Sequence, residues 1–281
     1  MPREDYDRAA VEICRQARME VLTALRSYHR DLAIVGGNVP ALLCDQATEP
    51  HLGTLDIDLL VNHLTISDDR YELILDIIQG LGWHQVIKPS GQPILHRFAK
   101  EFPGLPNPVY LDFLAPEYGG LARKREHQRV QQDLRPIKAR GSDLVFANLV
   151  VRTIEGRHPG GARDRVEAQV ADIVPFLAMK AAAMNGRRKP KDAYDIWYAC
   201  KYYPGGVDVV IQKLRVVRSH GLVREALTIL GQKFEAVDFV GPMDVADMRG
   251  GADITEEERA IYCQDSFQVV DAVIKGTTVD E

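Results

Sequence analysis

The sequence predicts an α+β fold, with a mixed sheet flanked by helices over residues 1–173 and a helical bundle over residues 174–281. Two observations predict it. Short apolar runs bounded by Gly, Pro and polar clusters dominate the first part of the chain, as strands and their turns do. Beyond Val174 the apolar residues fall at helical spacing instead, so the boundary is placed near residue 174.

The elements follow in order. From about Glu4 to Tyr28, residues Ala10, Ile13, Ala17, Val21, Leu22 and Leu25 share one face of a helix. Leu32-Ala-Ile-Val35 reads as a strand entering the diglycine turn Gly36-Gly37-Asn38, with a helical segment at Val39 to Leu43. Thr54 to Val61 is a second apolar strand, broken by Asp56 and Asp58. Asp68 to Leu81 is amphipathic, with Ser67 placed to cap it and Gly80 and Gly82 at its end. Trp83 to Lys88 and Ile94 to Phe98 read as strands around Pro89-Ser-Gly-Gln92, and Val109 to Leu114 as another, with Asp112 inside it. Leu144 to Ile154 and Val166 to Ile173 form a hairpin about Pro159-Gly-Gly161. Pro175 to Met184 opens the helical part, Pro175 suiting a first turn. Helices over Asp192 to Tyr202, Val207 to Ser219, Leu222 to Phe234 and Thr255 to Lys275 follow.

Composition excludes several classes. The chain has 281 residues, 46% hydrophobic and 27% charged, as in an ordinary globular protein. Cys14, Cys44, Cys200 and Cys263 are scattered without a CxxC pair, which argues against a zinc knuckle or a disulfide framework and for a reducing, cytoplasmic setting. The N-terminus is charged and lacks a secretory apolar region, and no apolar run reaches the length of a membrane span. There is no HExxH, GxSxG or Walker A motif. The net charge of −5 does not mark a nucleic-acid binder, yet between Leu121 and Arg165 basic residues outnumber acids roughly two to one. That stretch is either a solvated face or a groove for a polyanion such as RNA.

The acids carry the chemistry. Asp56 and Asp58, two apart on a strand, project from one face. Two carboxylates on an apolar strand call for a cation, and Mg2+ takes oxygen ligands of this kind. The diglycine lets backbone approach a phosphate closely. Asp112 is either a turn-proximal acid or a third carboxylate at the same cation. Lys180 lies inside an apolar helical run, as a snorkelling lysine or as a point charge on phosphate. Asp192 follows Pro190 as an N-cap or first-turn acid, or as a group that orients Lys180 or the nucleotide. Tyr194 and Trp197 are core residues by spacing, or stacking surfaces for a base. His51 lies near this site without an assigned role.

Gly36-Gly37, Thr54-x-Asp56-x-Asp58 and the Asp112 strand resemble the polymerase-beta type of nucleotidyltransferase fold. Phe176-Leu-Ala-Met-Lys-Ala-Ala-Ala-Met184, then Arg187 and Lys191-Asp-Ala-Tyr-Asp-Ile196, is similar to the signature of AbiEii/AbiGii-type nucleotidyltransferases, the toxins of abortive-infection, type IV-like toxin–antitoxin pairs. The matching pieces span roughly residues 30 to 200. The resemblance implies a nucleoside triphosphate held by Gly36, Gly37, Asn38, Thr54, Lys180 and Arg187, and Mg2+ held by Asp56, Asp58 and Asp112. It implies catalysis by Asp56, Asp58, Asp112, Lys180 and Asp192, with Asp112 a shared ligand or the general base. It further implies transfer of NMP to RNA (tRNA being the family's best-known target) or to a protein, and a cognate antitoxin as partner. The same acid set also suits a small-molecule, antibiotic-type nucleotidyltransferase, and a catalytically degenerate toxin–antitoxin binding module is a further alternative. The chain departs from the family in its long spacer from Gly37 to Asp56, which contains Pro40, Pro50 and His51, and in having Gly rather than Ser second in the turn.

Overall fold

In the computed structural model, which describes residues 3–62, 65–66, 68–117 and 136–278, the chain folds as two compact units. The sheet unit comprises Arg8–Val39 and Gly53–Ala171; the helical unit comprises Met1–Asp7, Pro40–Leu52 and Asp172–Glu281. The division after Ala171 falls beside the sequence boundary. The two earlier pieces that go with the helices are not visible from local pattern, because long-range contacts assign them.

In the sheet unit, helix α1 (Arg8–Ala24) precedes strand β1 (Leu32–Val35) and a 3-10 turn at Gly36–Asn38; the short helix α2 (Val39–Leu43) that follows belongs, from Pro40 on, to the helical unit. Then come β2 (Asp56–Val61), α3 (Asp68–Gly80), β3 (His84–Ile87), β4 (Pro93–Lys100), β5 (Val109–Pro116), β6 (Ile137–Ala139), β7 (Leu149–Arg157) and β8 (Arg163–Ala171). The described strands form one mixed sheet in the order β3-β4-β5-β2-β1-β8-β7, with β6 against β5. β2 runs antiparallel to β1 and parallel to β5, which places it centrally. Its residues Ile57 and Leu59 point to one face and are fully buried, as are Leu111 and Phe113 beside them. Asp56 and Asp58 alternate with them and so point to the other face. Apolar burial on the first face drives the sheet against α1, which packs on β2, β7 and β8.

Several boundaries differ from the sequence reading, each for a local reason. The N-terminal helix is split: a 3-10 turn covers Arg3–Asp5, and the α-helix starts at Arg8. Tyr6, buried beside Lys191, anchors the preceding segment in the helical unit. The strand expected from Leu144 starts at Leu149. Gly141, at φ +88°, opens a 3-10 turn over Ser142–Leu144, and Asn148 Nδ2 closes it on the Leu144 carbonyl at 2.9 Å. The Pro159-Gly-Gly161 hairpin joins β7 to β8 in continuous register from Leu149↔Ala171 to Arg157↔Arg163. Ser67 and the basic residues Arg123, Lys124, Arg125, Arg129 and Arg135 lie outside the described residues.

The helical unit contains α4 (Ile173–Gly186), α5 (Pro190–Tyr202), α6 (Gly206–Val216), α7 (Gly221–Lys233), α8 (Val240–Gly250) and α9 (Glu256–Thr278). Asp172 caps α4 by accepting from the Ile173 N–H at 2.7 Å. α5 is buried along nearly its whole length, with Trp197, Tyr198 and Ile196 at its centre. Segment 40–52 lies along it: Tyr198 Oη donates to the Glu49 carbonyl at 2.6 Å, and the Leu52 N–H donates to Tyr194 Oη at 3.2 Å. α8 was not expected from sequence. Pro242 and glycines at 241, 250 and 251 mask its helical pattern, and packing against α5 and α9 holds it. No helix among the described residues is long and apolar enough to cross a membrane.

Candidate active site

In the sheet unit the site is built where β1 ends. Gly36 adopts φ +68°, and a Cβ there would overlap Asp58 Oδ2. A Cβ on Gly37 would lie 2.6 Å from Thr54 Oγ1. Each glycine therefore admits one site side chain against the backbone, Asp58 at the first and Thr54 at the second. The turn is pinned by Asn38, whose Oδ1 accepts from Arg18 at 2.6 Å and whose Nδ2 donates to the Asp56 carbonyl at 2.9 Å. Its side chain thus ties the turn to β2 and α1. Arg18 remains a cation near neutral pH, although burial lowers its pKa to about 10.

Asp58 and Asp112 are direct partners across β2 and β5, with Asp56 opposite Tyr110 one step along. The three carboxylates hence share one face of the sheet. Asp112 is not free on that face. Arg97, its register partner on β4, donates Nε to Oδ1 at 2.8 Å and Nη2 to Oδ2 at 2.6 Å. Arg97 also lies over the Tyr110 ring at 5.1 Å. Its pKa is raised, first by the Asp112 hydrogen bonds and further by the charges of Asp112, Asp56 and Asp58, against the opposing effect of burial. Among the described residues no group of three or more His, Cys, Asp or Glu side chains is arranged to hold a metal ion. Asp56 and Asp58 nonetheless offer the donor chemistry of a hard cation that binds through one or two carboxylates plus substrate phosphates. Asp112, expected as a shared ligand or the general base, is paired with Arg97, a residue sequence reasoning did not single out. The only local signal for it was a basic residue within an otherwise strand-like run.

The remaining predicted residues, Lys180, Arg187 and Asp192, sit in the helical unit. Lys180 on α4 lies 2.8 Å from Asp192 and 2.8 Å from Asp195, both on α5. Arg187 Nε lies 3.1 Å from Asp192, and Lys191 pairs with Asp195. His51 Nε2 donates to Asp195 Oδ1 at 2.9 Å, and its ring stacks on Tyr194. Lys180, Lys191, Asp192, Asp195 and His51 are all buried. Burial opposes charge on Lys180, but Asp195 and Asp192 outweigh it and raise its pKa. Burial also opposes charge on Asp195, and Lys180 and Lys191 outweigh it and hold its carboxyl well below the usual range. Lys191 is brought down to about 8, by burial first and by Lys180, with Asp195 resisting. Tyr194 and Trp197 are core residues packed at 5.7 Å, not open stacking surfaces. Asp195, Lys191 and His51 are members of this cluster that sequence reasoning left without a role.

His51 is held neutral, its pKa lowered to about 4 by burial and by Lys191 despite the Asp195 hydrogen bond. The sign follows directly. An unfolded His takes its proton near pH 6.5 while the folded one resists until about 4, so stability falls as pH drops through that window. Urea unfolding at pH 7 and pH 5 is expected to show a loss from this residue on the order of 1–2 kcal/mol. The His51→Gln variant, which keeps a donor but cannot titrate, is expected to lack that component.

Comparison with known proteins adds no relative: no family model matches the chain, and no curated protein matches it.

Proposed function

We propose that the chain is a Mg2+-dependent nucleotidyltransferase that moves NMP from a nucleoside triphosphate to an RNA acceptor, acting in the cytoplasm as the toxin of a toxin–antitoxin pair of the AbiEii type. One observation carries the reading. The Asp58 carboxylate packs against Gly36 of a diglycine bend, with Asp56 and Asp112 on the same sheet face. A phosphate chain needs backbone without side chains to approach it, and its cation needs carboxylates beside that approach. Both are present within one turn and one strand pair.

Asp56 and Asp58 would hold the divalent cation. When bound, it supplies positive charge at the reacting phosphate and the leaving pyrophosphate. Gly36 and Gly37 leave room for the triphosphate, and Thr54 presents a hydroxyl beside Gly37. Asp112, once released from Arg97, accepts the proton of the attacking hydroxyl or joins the ligands. Lys180, Asp192 and Arg187 enter this reading through the sequence resemblance alone. An RNA acceptor is favoured by the basic character of Arg140, Arg152, Arg157, Arg163 and Arg165, a feature a small-molecule acceptor does not call for.

The test is direct. The purified chain is incubated with each α-labelled NTP, Mg2+ and either total tRNA, a cell protein extract or a panel of aminoglycosides. Label is expected on tRNA from one preferred NTP, with none when EDTA is present. Label confined to protein or to a small molecule would move the acceptor class, and no transfer from any NTP would overturn the reading.

A further inference from the structure

The geometry points to Arg97 as a positioning residue that holds Asp112 out of the metal-binding set until substrate arrives. This inference rests on the transferase reading and deepens it, since it concerns how the third acid is released.

Asp112 accepts both bonds of the Arg97 fork, at 2.8 and 2.6 Å, and Arg97 is its direct partner across β4 and β5. An ionised carboxylate has only acceptor sites, and a two-pronged guanidinium takes the pair best placed for a cation or a hydroxyl. Asp112 is a poorer ligand and a weaker base while so held. The two partners differ in freedom. The Asp112 side chain is only 10% exposed, whereas that of Arg97 is 38% exposed and rests over the Tyr110 ring. Release therefore comes from Arg97 swinging toward solvent while Asp112 stays on the face with Asp56 and Asp58. The charges of Asp56 and Asp58 also favour the charged guanidinium. It offsets part of the negative charge on that face, and a divalent cation would do the same. Arg97 pairing and Asp112 ligation thus oppose each other, and each weakens the other by the same factor.

The experiment is a Mn2+ titration followed by electron paramagnetic resonance of the free ion, on the full chain without nucleotide. Arg97→Gln is expected to tighten Mn2+ binding about tenfold. Asp112→Asn alone is expected to change it less than threefold, because Arg97 already withholds that carboxylate. In Arg97→Gln/Asp112→Asn the gain is expected to vanish. This non-additivity is what a general electrostatic effect of removing a cation would not produce. A gain that survives Asp112→Asn, or no gain at all, overturns the inference. Arg97→Lys keeps the charge but loses the fork; it is expected to give a partial gain, and it decides the matter by the same criterion should the Gln variant not fold. Mn2+ binding that is lost in Asp58→Asn but unaffected by Arg97 would leave the transferase reading standing and remove this inference. Failure of every one of these proteins to bind Mn2+ would overturn both.

Discussion

Asp58→Asn is expected to lower nucleotidyl transfer by about a thousandfold or more while the protein stays folded. The magnitude follows from what the carboxylate does in the proposed mechanism. A bound cation contributes several kcal/mol of transition-state stabilisation, and each 1.36 kcal/mol is tenfold in rate. Asparagine keeps the shape and one oxygen but removes the charge that holds the cation. Asp58 lies against Gly36 on a strand flanked by β1 and β5. Asp112→Asn is expected to act through the chemical step more than through metal affinity, given its pairing with Arg97. Gly36→Ala approaches the same point from the backbone. The added methyl would overlap the Asp58 carboxylate, and φ +68° disfavours any L side chain by roughly 1–2 kcal/mol. It is therefore expected to lose activity as severely as Asp58→Asn, with a stability loss that Asp58→Asn lacks. Single-turnover transfer of labelled NMP, read alongside circular dichroism, checks both. Activity within tenfold of wild type in Asp58→Asn would remove Asp58 from the reacting set and with it the observation that carries the proposed function.

What could be read from the sequence was what is local. The β1 run, the diglycine bend, the paired aspartates and the Pro159-Gly-Gly161 hairpin each declare themselves within a few residues, and all appear where expected. α4 was legible for the same reason, as a long apolar segment with Pro175 in its first turn, whereas α5 starts at Pro190, two residues before the helix expected from Asp192. What escaped was fixed by partners far along the chain. Arg97 gains its meaning only from the register that sets β4 against β5, and His51 from a partner 144 residues away. The assignment of segment 40–52 to the helical unit rests on bonds from α5 that no local pattern encodes. β6 is three residues long, too short for any periodicity to show. α8 shows the converse, where poor intrinsic helix formers are held helical by the helices packed on them.

Asp195→Ala is expected to be the most destabilising single change in the helical unit, costing about 3–5 kcal/mol. Asp195 is fully buried and meets two lysines and a histidine: Lys180 at 2.8 Å, Lys191, and His51 at 2.9 Å. Taking the carboxylate away leaves Lys191 buried without that anion, beside the Tyr6 and Tyr194 rings, and leaves Lys180 paired with Asp192. The loss then comes from stranded charge more than from the worth of the pair itself, for buried ion pairs gain little over apolar packing once desolvation is counted. That distinction can be measured. If stranded charge dominates, removing the cation as well recovers much of the stability, so Lys191→Met/Asp195→Leu is expected to lie within about 2 kcal/mol of wild type. Urea unfolding of the single and double variants gives both numbers from one type of curve, and a drop in midpoint without a change in slope identifies a pure stability effect. A single variant within 1 kcal/mol of wild type would mean that the neighbouring lysines shed their protons or reach water at little cost, and the cluster would then owe its presence to something other than folding.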